Sequence, residues 1–308
     1  MNKIGITTGD PNGIGAEISV KALNELGLKK DRVVLFSNEK ILATCPKLLE
    51  NYEIVEVPFK EDVLPGKITQ EAGEFSYQAL AEACNWVKNG KISSIVTAPT
   101  AKAAMFLAGR KFSGQTEILE NLLAHDGQKA EMLFVAKDFR VLLLTRHCAL
   151  KDIKISKNLV INKIKNLKEF FTDKLQIESP KFALCAFNPH AGENGILGTE
   201  ENEILIPAVK SLRECGINIT EPLAADTLFT VAAQDYFQDC KPNYDCYIAN
   251  YHDQGLIPIK TVAGKKTVNM TIGLDIIRTS PGHGTAFDIA GKNIADYSGM
   301  IEAIKAVV

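Results

Sequence analysis

The stretch DCYIANYHDQGL, residues 245–256, decides how the chain is read. Asp245 to Ala249 form a short apolar run suited to a strand. His252, Asp253, Gln254 and Gly255 follow at once, so the segment reads as a strand that ends in ligands where the chain turns. The arrangement recurs: RVLLLTRH places His147 after one apolar run, and FALCAFNPH places His190 after another. The chain has only five histidines, at 125, 147, 190, 252 and 283. Three of them at equivalent positions is a pattern that composition does not predict.

Further runs read as strands at Lys3 to Thr8, Arg32 to Phe36, Ser94 to Thr97, Arg140 to Leu144, Phe182 to Phe187 and Thr267 to Thr271. Between most of them the apolar residues return every three or four positions, most clearly over Ser76 to Lys88 and Ile161 to Phe171, which is helical spacing. Strands alternating with helices give an α/β fold with a mostly parallel sheet covered on both faces. In such a sheet ligands bind beyond the carboxyl ends of the strands, so residues that follow different strands are gathered at one edge. Three imidazoles gathered there could hold zinc, cobalt, nickel or iron, and three protein ligands with one open position is the arrangement of a catalytic metal. Asp253 and Asp226 could orient the rings or complete the shell. The plainer reading of each histidine is a loop or capping residue.

At 308 residues the chain is long enough for two lobes. Loops near Gly114 and Arg278 are the expected boundaries, giving one lobe from 1–114 with 279–308 and a second from 115–278. Apolar residues make up 46%, charged residues 23%, and the net charge is -2. That balance gives no general pull toward nucleic acid or an anionic membrane. Seven cysteines without a C-x-x-C pair suit buried free thiols in a reducing compartment. The first residues go straight into a strand without signal-peptide character, and no apolar run approaches the roughly 18 residues of a membrane span. A cytoplasmic protein is expected.

Two glycine-rich segments suggest anion chemistry. TTGDPNGIGAEI, residues 7–18, opens a helix near Ile14, and Gly9, Gly13 and Gly15 permit tight turning and close backbone approach. It is not G-x-G-x-x-G, and packing alone could explain it. Lys260 to Lys292 supplies Lys260, Asn269 and Arg278, then SPGHGTAFDIAGK, in which Gly282 and Gly284 flank His283 ahead of an expected helix. Cations and amide donors at this density suit a phosphorylated anionic small molecule.

GDPNGIGAEI, TAPTAKAAM, NPHAGENGILGTEE, AADTLF, YHDQGLIPIK and VNMTIGLDIIRTSPGHGTAFDIAGK follow one another over nearly the whole chain. In that order they resemble the 4-hydroxythreonine-4-phosphate dehydrogenase family of pyridoxal phosphate biosynthesis. The resemblance implies a two-lobed α/β/α fold like that of isocitrate and isopropylmalate dehydrogenases, with the active site in the cleft. It implies that His147, His190 and His252 bind a divalent metal (zinc, cobalt or magnesium) at the interface of a homodimer, one histidine coming from the partner subunit. Thr116, Lys260, Asn269 and Arg278 match substrate-binding residues. Asp253 and Lys260 are the candidate catalytic residues, Asp253 as an orienter of His252 or as a base. His283, Gly284, Thr285, Ala286 and Asp288 would lie against the adenosine of NAD or NADP.

The implied reaction oxidises the C3 hydroxyl of 4-phosphooxy-L-threonine and decarboxylates the resulting keto acid to 3-amino-2-oxopropyl phosphate. One departure bears on it. The family pattern G-H-T-E reads Gly114, Gln115, Thr116, Glu117 here, so a substrate-touching histidine is replaced by an amide that cannot carry imidazolium charge. Oxidation of a four-carbon sugar acid 4-phosphate, such as threonate or erythronate 4-phosphate, is therefore the alternative within the class, and a metal-dependent hydrolase the alternative outside it. Ala16 and Ala225 stand where the family often has proline, which concerns helix starts rather than chemistry.

Overall fold

The computed structural model describes residues 3–308, and the chain divides into two compact units. The first unit runs to Ala130 and resumes at Val268; the second is Glu131–Thr267. Both expected boundaries, Gly114 and Arg278, fall inside the first unit. The helix that opens at Gln115 packs on the long helix of that unit, and the strand carrying Arg278 pairs with one of its strands.

In chain order the first unit contains β1 (Ile4–Thr7), α1 (Gly15–Leu26), β2 (Val33–Ser37), α2 (Glu39–Leu42), β3 (Glu53–Glu56), α3 (Gln70–Lys88), β4 (Ser94–Thr97), α4 (Lys102–Leu107) and α5 (Gln115–Leu123). The second contains β5 (Glu131–Ala136), β6 (Phe139–Leu143), α6 (Lys157–Asp173), β7 (Lys181–Leu184), α7 (Ile206–Glu214), β8 (Asn218–Ile219), α8 (Ala225–Phe237), β9 (Cys246–Ala249) and α9 (His252–Ala263). The first is completed by β10 (Val268–Ile272), β11 (Ile277–Pro281) and α10 (Ser298–Lys305).

The strands of the first unit lie in the order β3-β2-β1-β4-β11-β10. All are parallel except β10, which runs antiparallel to β11. The chain leaves β1 toward β2 and β3 and returns on the other side as β4, so the loops after β1 and β4 meet at a topological switch point, where α/β sheets place ligands. β1, β2 and β4 are buried throughout, as strands covered on both faces must be, whereas the edge strand β3 is mostly exposed. α3 is held against this sheet by Phe75, Ala79, Leu80 and Ala83, and its start is capped by Thr69, whose hydroxyl accepts from Ala72 N. Gly73 admits the backbone of α4, because a Cβ there would lie 2.0 Å from Ala104 O.

The second unit has the order β5-β6-β9-β7-β8, with β5 antiparallel to β6 and the others parallel. β9 enters last, between β6 and β7, so the segments that follow these three strands become neighbours. α6 is capped by Ser156 and buries Val160, Ile164, Leu167, Phe170 and Phe171. Lys163 on the same face forms a buried ion pair with Glu131 and also reaches Leu143 O at 3.4 Å.

Two local readings are corrected. The chain does not turn at His252: His252 is the first residue of α9. No helix follows His283 either; residues 287–291 form turns, and the next helix starts only at Ser298. Ala286 and Asn293 have positive φ, which breaks any helical run through this stretch.

Candidate active site

The sequence-predicted residues fall into two groups, one on each unit. On the second unit, the segments after β6, β7 and β9 carry His147, His190 and His252. Leu144 N donates to Ala249 O (2.8 Å) and Cys185 N to Ile248 O (2.9 Å), extending the parallel ladders past the strand ends. Asn250 Nδ2 donates to Cys185 O (2.8 Å), and Gln254 Nε2 donates to Ala186 O (2.7 Å) while its Oε1 accepts from Asn250 N (2.8 Å). Asn250 and Gln254 thus tie the β7 loop to the start of α9.

The rings of His147 and His252 adjoin, with centroids 5.5 Å apart and planes at 47°. His252 Nδ1 lies 2.6 Å from Asp253 Oδ1. If Nδ1 carries the proton it donates to this carboxylate, leaving the Nε2 lone pair for a cation, the usual carboxylate–histidine–metal relation. Asp226 is exposed in the first turn of α8. Lys260 is exposed near the other end of α9.

His190 is reached by a different device. His190, Ala191, Gly192, Glu193 and Asn194 all have positive φ, a left-handed turn that L residues adopt at a cost. The buried carboxylate of Glu201 anchors the residues that lead into it: Oε1 accepts from Phe187 N (2.8 Å) and Asn188 N (2.7 Å), and Oε2 from Asn188 Nδ2 (2.9 Å). His190 itself is exposed. Among the described residues no group of three or more metal-ligating side chains forms within the chain. The donor set suits a divalent cation: two imidazoles adjoin, one beside a carboxylate, and a third is held on a fixed loop.

The second group lies on the first unit. Asn269 and Thr271 on β10 face Ser280 and Arg278 on β11 as cross-strand partners, so all four side chains share one face of the hairpin. Arg278 is 3% exposed. Its Nε and Nη2 donate to Thr97 Oγ1 (2.9 and 2.6 Å), Nη2 also donates to Gln115 Oε1, and Nη1 reaches Thr271 Oγ1 at 3.4 Å. Burial pulls its pKa down to about 9, against which the Glu117 carboxylate acts, so it remains a cation at neutral pH. A buried cation whose hydrogen bonds all go to neutral oxygens, with the Glu117 carboxylate acting on it without a hydrogen bond, has room for an anion. Asn269 Oδ1 is likewise buried and without a hydrogen-bond partner.

Gln115 and the buried Thr116 open α5, whose first intrahelical bond is Ile118 N to Gly114 O, so the preceding amides have no acceptor in the helix. Lys102 of α4 stands beside this helix start: its Cε would lie 3.9 Å from a Cβ on Gly114. Lys102 was not singled out from the sequence. The signal available was its place five residues after the end of a strand, the same kind of position that marked the histidines.

The loop His283 to Asp288 follows β11 at the carboxyl edge. His283 Nδ1 lies 3.0 Å from Gly284 O, and its Nε2 is buried without a partner. The glycine turn after β1 supports this loop: Ile14 N donates to Thr285 O (3.1 Å), and a Cβ on Gly13 would lie 3.1 Å from Thr285. Packing against Thr285 therefore accounts for Gly13 and for one amide at the start of α1. Gly66, at φ 78, also lies against this loop, where a Cβ would be 2.8 Å from Phe287 O. The unpartnered His283 Nε2 fits a nucleotide contact at this loop.

These features describe an α/β protein with a buried cation on one unit and histidines gathered beyond the strand ends of the other. The chain belongs to the family described as Pyridoxal phosphate biosynthetic protein PdxA, whose model matches residues 9–307. It is 38% identical to a 4-hydroxythreonine-4-phosphate dehydrogenase of Sulfurihydrogenibium sp., over 100% of this chain and 98% of that protein. It is 36% identical to a D-threonate 4-phosphate dehydrogenase of Cupriavidus necator, over 98% and 95%. A crystal structure of 4-hydroxythreonine-4-phosphate dehydrogenase from Klebsiella pneumoniae superposes with a TM-score of 0.85 at 31% identity, covering 99% and 98% of the two chains. Isocitrate dehydrogenase from Methylococcus capsulatus, at 14% identity and a TM-score of 0.51, shares the fold, as expected from the sequence. No helix among the described residues is long and apolar enough to cross a membrane.

Proposed function

We propose that the protein is a 4-hydroxythreonine-4-phosphate dehydrogenase, oxidising 4-phosphooxy-L-threonine at C3 with a nicotinamide dinucleotide, NAD or NADP, and releasing carbon dioxide to give 3-amino-2-oxopropyl phosphate. The observation that carries the reading is Arg278: a buried guanidinium whose hydrogen bonds all go to neutral oxygens, on the same hairpin face as the unpartnered Asn269 Oδ1, asks for an anionic ligand. Family membership supplies the reaction class.

In this reading Arg278, Asn269 and Thr116 hold the anionic ends of the substrate, Gln115 stands behind Arg278, and Lys260 is a further cation and proton-bearing group. His147, His190 and His252 hold a divalent cation (zinc, cobalt or magnesium), and Asp253 fixes the His252 ring. When bound, the cation polarises a substrate oxygen and the nicotinamide accepts hydride. The loop His283, Gly284, Thr285, Ala286 and Asp288 positions the adenosine end of the dinucleotide. The protein's own contribution is then charge placement and orientation, which set the alcohol carbon toward the hydride acceptor. The site works in a homodimer, one histidine coming from the partner subunit, in the cytoplasm.

Gln115 gives weight to a second reading, threonate or erythronate 4-phosphate as substrate, because it is a neutral amide where the family pattern has histidine. The test is metal-free protein, re-supplied with zinc, cobalt or magnesium, and assayed for dinucleotide reduction with 4-phosphooxy-L-threonine and with threonate 4-phosphate. A higher kcat/KM on the amino acid is expected. Preference for the sugar acid would transfer the assignment to the second substrate. Failure of NAD and NADP alike to raise the unfolding temperature would point to a hydrolase instead.

A further inference from the structure

We infer that Gln115 is a positioning residue: its neutral amide oxygen fixes the buried Arg278 guanidinium without cancelling the charge, which is thereby kept for the anionic end of a substrate. The inference rests on the reading of Arg278 as an anion ligand. Gln115 is held at both ends of its amide. Its Oε1 accepts from Arg278 Nη2, while its Nε2 donates to Ala98 O at 3.1 Å and to Thr100 Oγ1 at 2.9 Å. Turning the amide over would set its NH2 against the guanidinium and its carbonyl oxygen against the Ala98 carbonyl, so the orientation is dictated by its neighbours.

Two consequences follow from this geometry. Gln115 cannot donate to a ligand without giving up Ala98 or Thr100, so it acts on the ligand through Arg278. The guanidinium, meanwhile, is clamped along its Nε and Nη2 edge by Thr97 and Gln115, while Nη1 has only the 3.4 Å contact to Thr271. The loosely held Nη1 is the part of the cation left for an acceptor. A neutral latch suits this arrangement because a carboxylate in the same place would pair with Arg278 and consume the charge, and its second oxygen would face the Ala98 carbonyl. An imidazole would be shorter of acceptors, having at most one once neutral and none once protonated.

The role predicts an order of effects that a purely structural side chain would reverse. Gln115→Glu is nearly isosteric and Gln115→Met keeps the length without an acceptor, so for shape alone Glu is the milder change. If Gln115 preserves the charge of Arg278, Glu is the harsher one. Binding of inorganic phosphate to the purified protein is measured by titration calorimetry, with thermal unfolding as the check on folding and steady-state kinetics on the phosphorylated substrate beside it. Gln115→Glu is expected to weaken phosphate binding by about tenfold or more. The loss should fall mainly on KM, with kcat falling by a smaller factor. Gln115→Met should lose less. Folded Gln115→Glu that binds phosphate within about twofold of the parent, or better than Gln115→Met, would overturn the inference. Arg278→Met separates the two levels: if it binds phosphate like the parent, the anion reading of Arg278 fails, and if it alone loses binding, only the role of Gln115 fails.

Discussion

Asp10 shows how one side chain can set a pH dependence for the whole fold. It lies in the turn after β1 with 0% exposure; Oδ1 accepts from Asn12 N at 2.9 Å, while Oδ2 is buried without a partner. Desolvation pushes its pKa up from 3.8 to about 6, against the backbone amides of Asn12 and Ala101 that favour the charged form. Because the folded value is the higher one, the native state binds the proton more tightly. The contribution is fully present below the unfolded pKa and is lost as pH rises through about 6. A shift of this size corresponds to about 3 kcal/mol over the whole window. Asp10→Asn removes the titration, so the variant should gain stability relative to the parent between pH 5 and pH 8. Denaturant unfolding at the two pH values measures it, and a difference between parent and variant that is the same at both would refute the assignment. Asp10 sits one turn from Gly13 and Thr285, so the loop offered to the dinucleotide rests on a group that is costly to charge.

At the level of elements, the left-handed run from His190 to Asn194 is the most strained piece of the candidate metal edge, and Glu201 anchors the residues just before it. Ala191, at φ 54 and ψ 39, has a Cβ that makes this conformation unfavourable. Ala191→Gly should therefore stabilise the protein by about 0.5–1 kcal/mol, the relief being partly offset by the freer unfolded chain. A rise in unfolding temperature of about 1–3 °C is expected for a chain of this size, and a fall would show that the loop needs the methyl group. No sequence pattern announces such a turn, because four of its five residues are left-handed without being glycine. Strands were easier to see. The runs at Lys3, Arg32, Ser94, Arg140, Phe182, Asp245 and Thr267 coincide within a few residues with β1, β2, β4, β6, β7, β9 and β10. Less legible were β3, whose EIVE is mostly exposed at a sheet edge, β5, whose EMLFVA shows no alternation of polar and apolar residues, β8 with two residues, and β11, whose IRTSP contains an arginine and a proline. The carboxyl-edge placement of the histidines was legible because it follows from strand ends. The grip of Thr97 and Gln115 on Arg278 was not, since it joins residues far apart in the chain across β4, α5 and β11.

For the molecule as a whole, the arrangement of imidazoles bears on assembly. Within one chain His147 adjoins His252, while His190 is exposed on its own loop and the three do not form a ligand cluster among the described residues. In the homodimer proposed above, a cation with three protein ligands takes His190 and His252 from opposite subunits, and each site is completed by the other chain. This has a consequence that mixing experiments read directly. His190→Ala and His252→Ala should each be inactive alone, since every site lacks one ligand. Mixed by unfolding and refolding at equal amounts, half of the randomly formed dimers are heterodimers, and each of these has one site with both lesions and one with none. Activity should return to about a quarter of the parent value, with a matching return of tightly bound metal measured by elemental analysis. If both histidines of a site came from the same chain, no mixture could assemble an intact one, and activity would stay at the level of the separate variants.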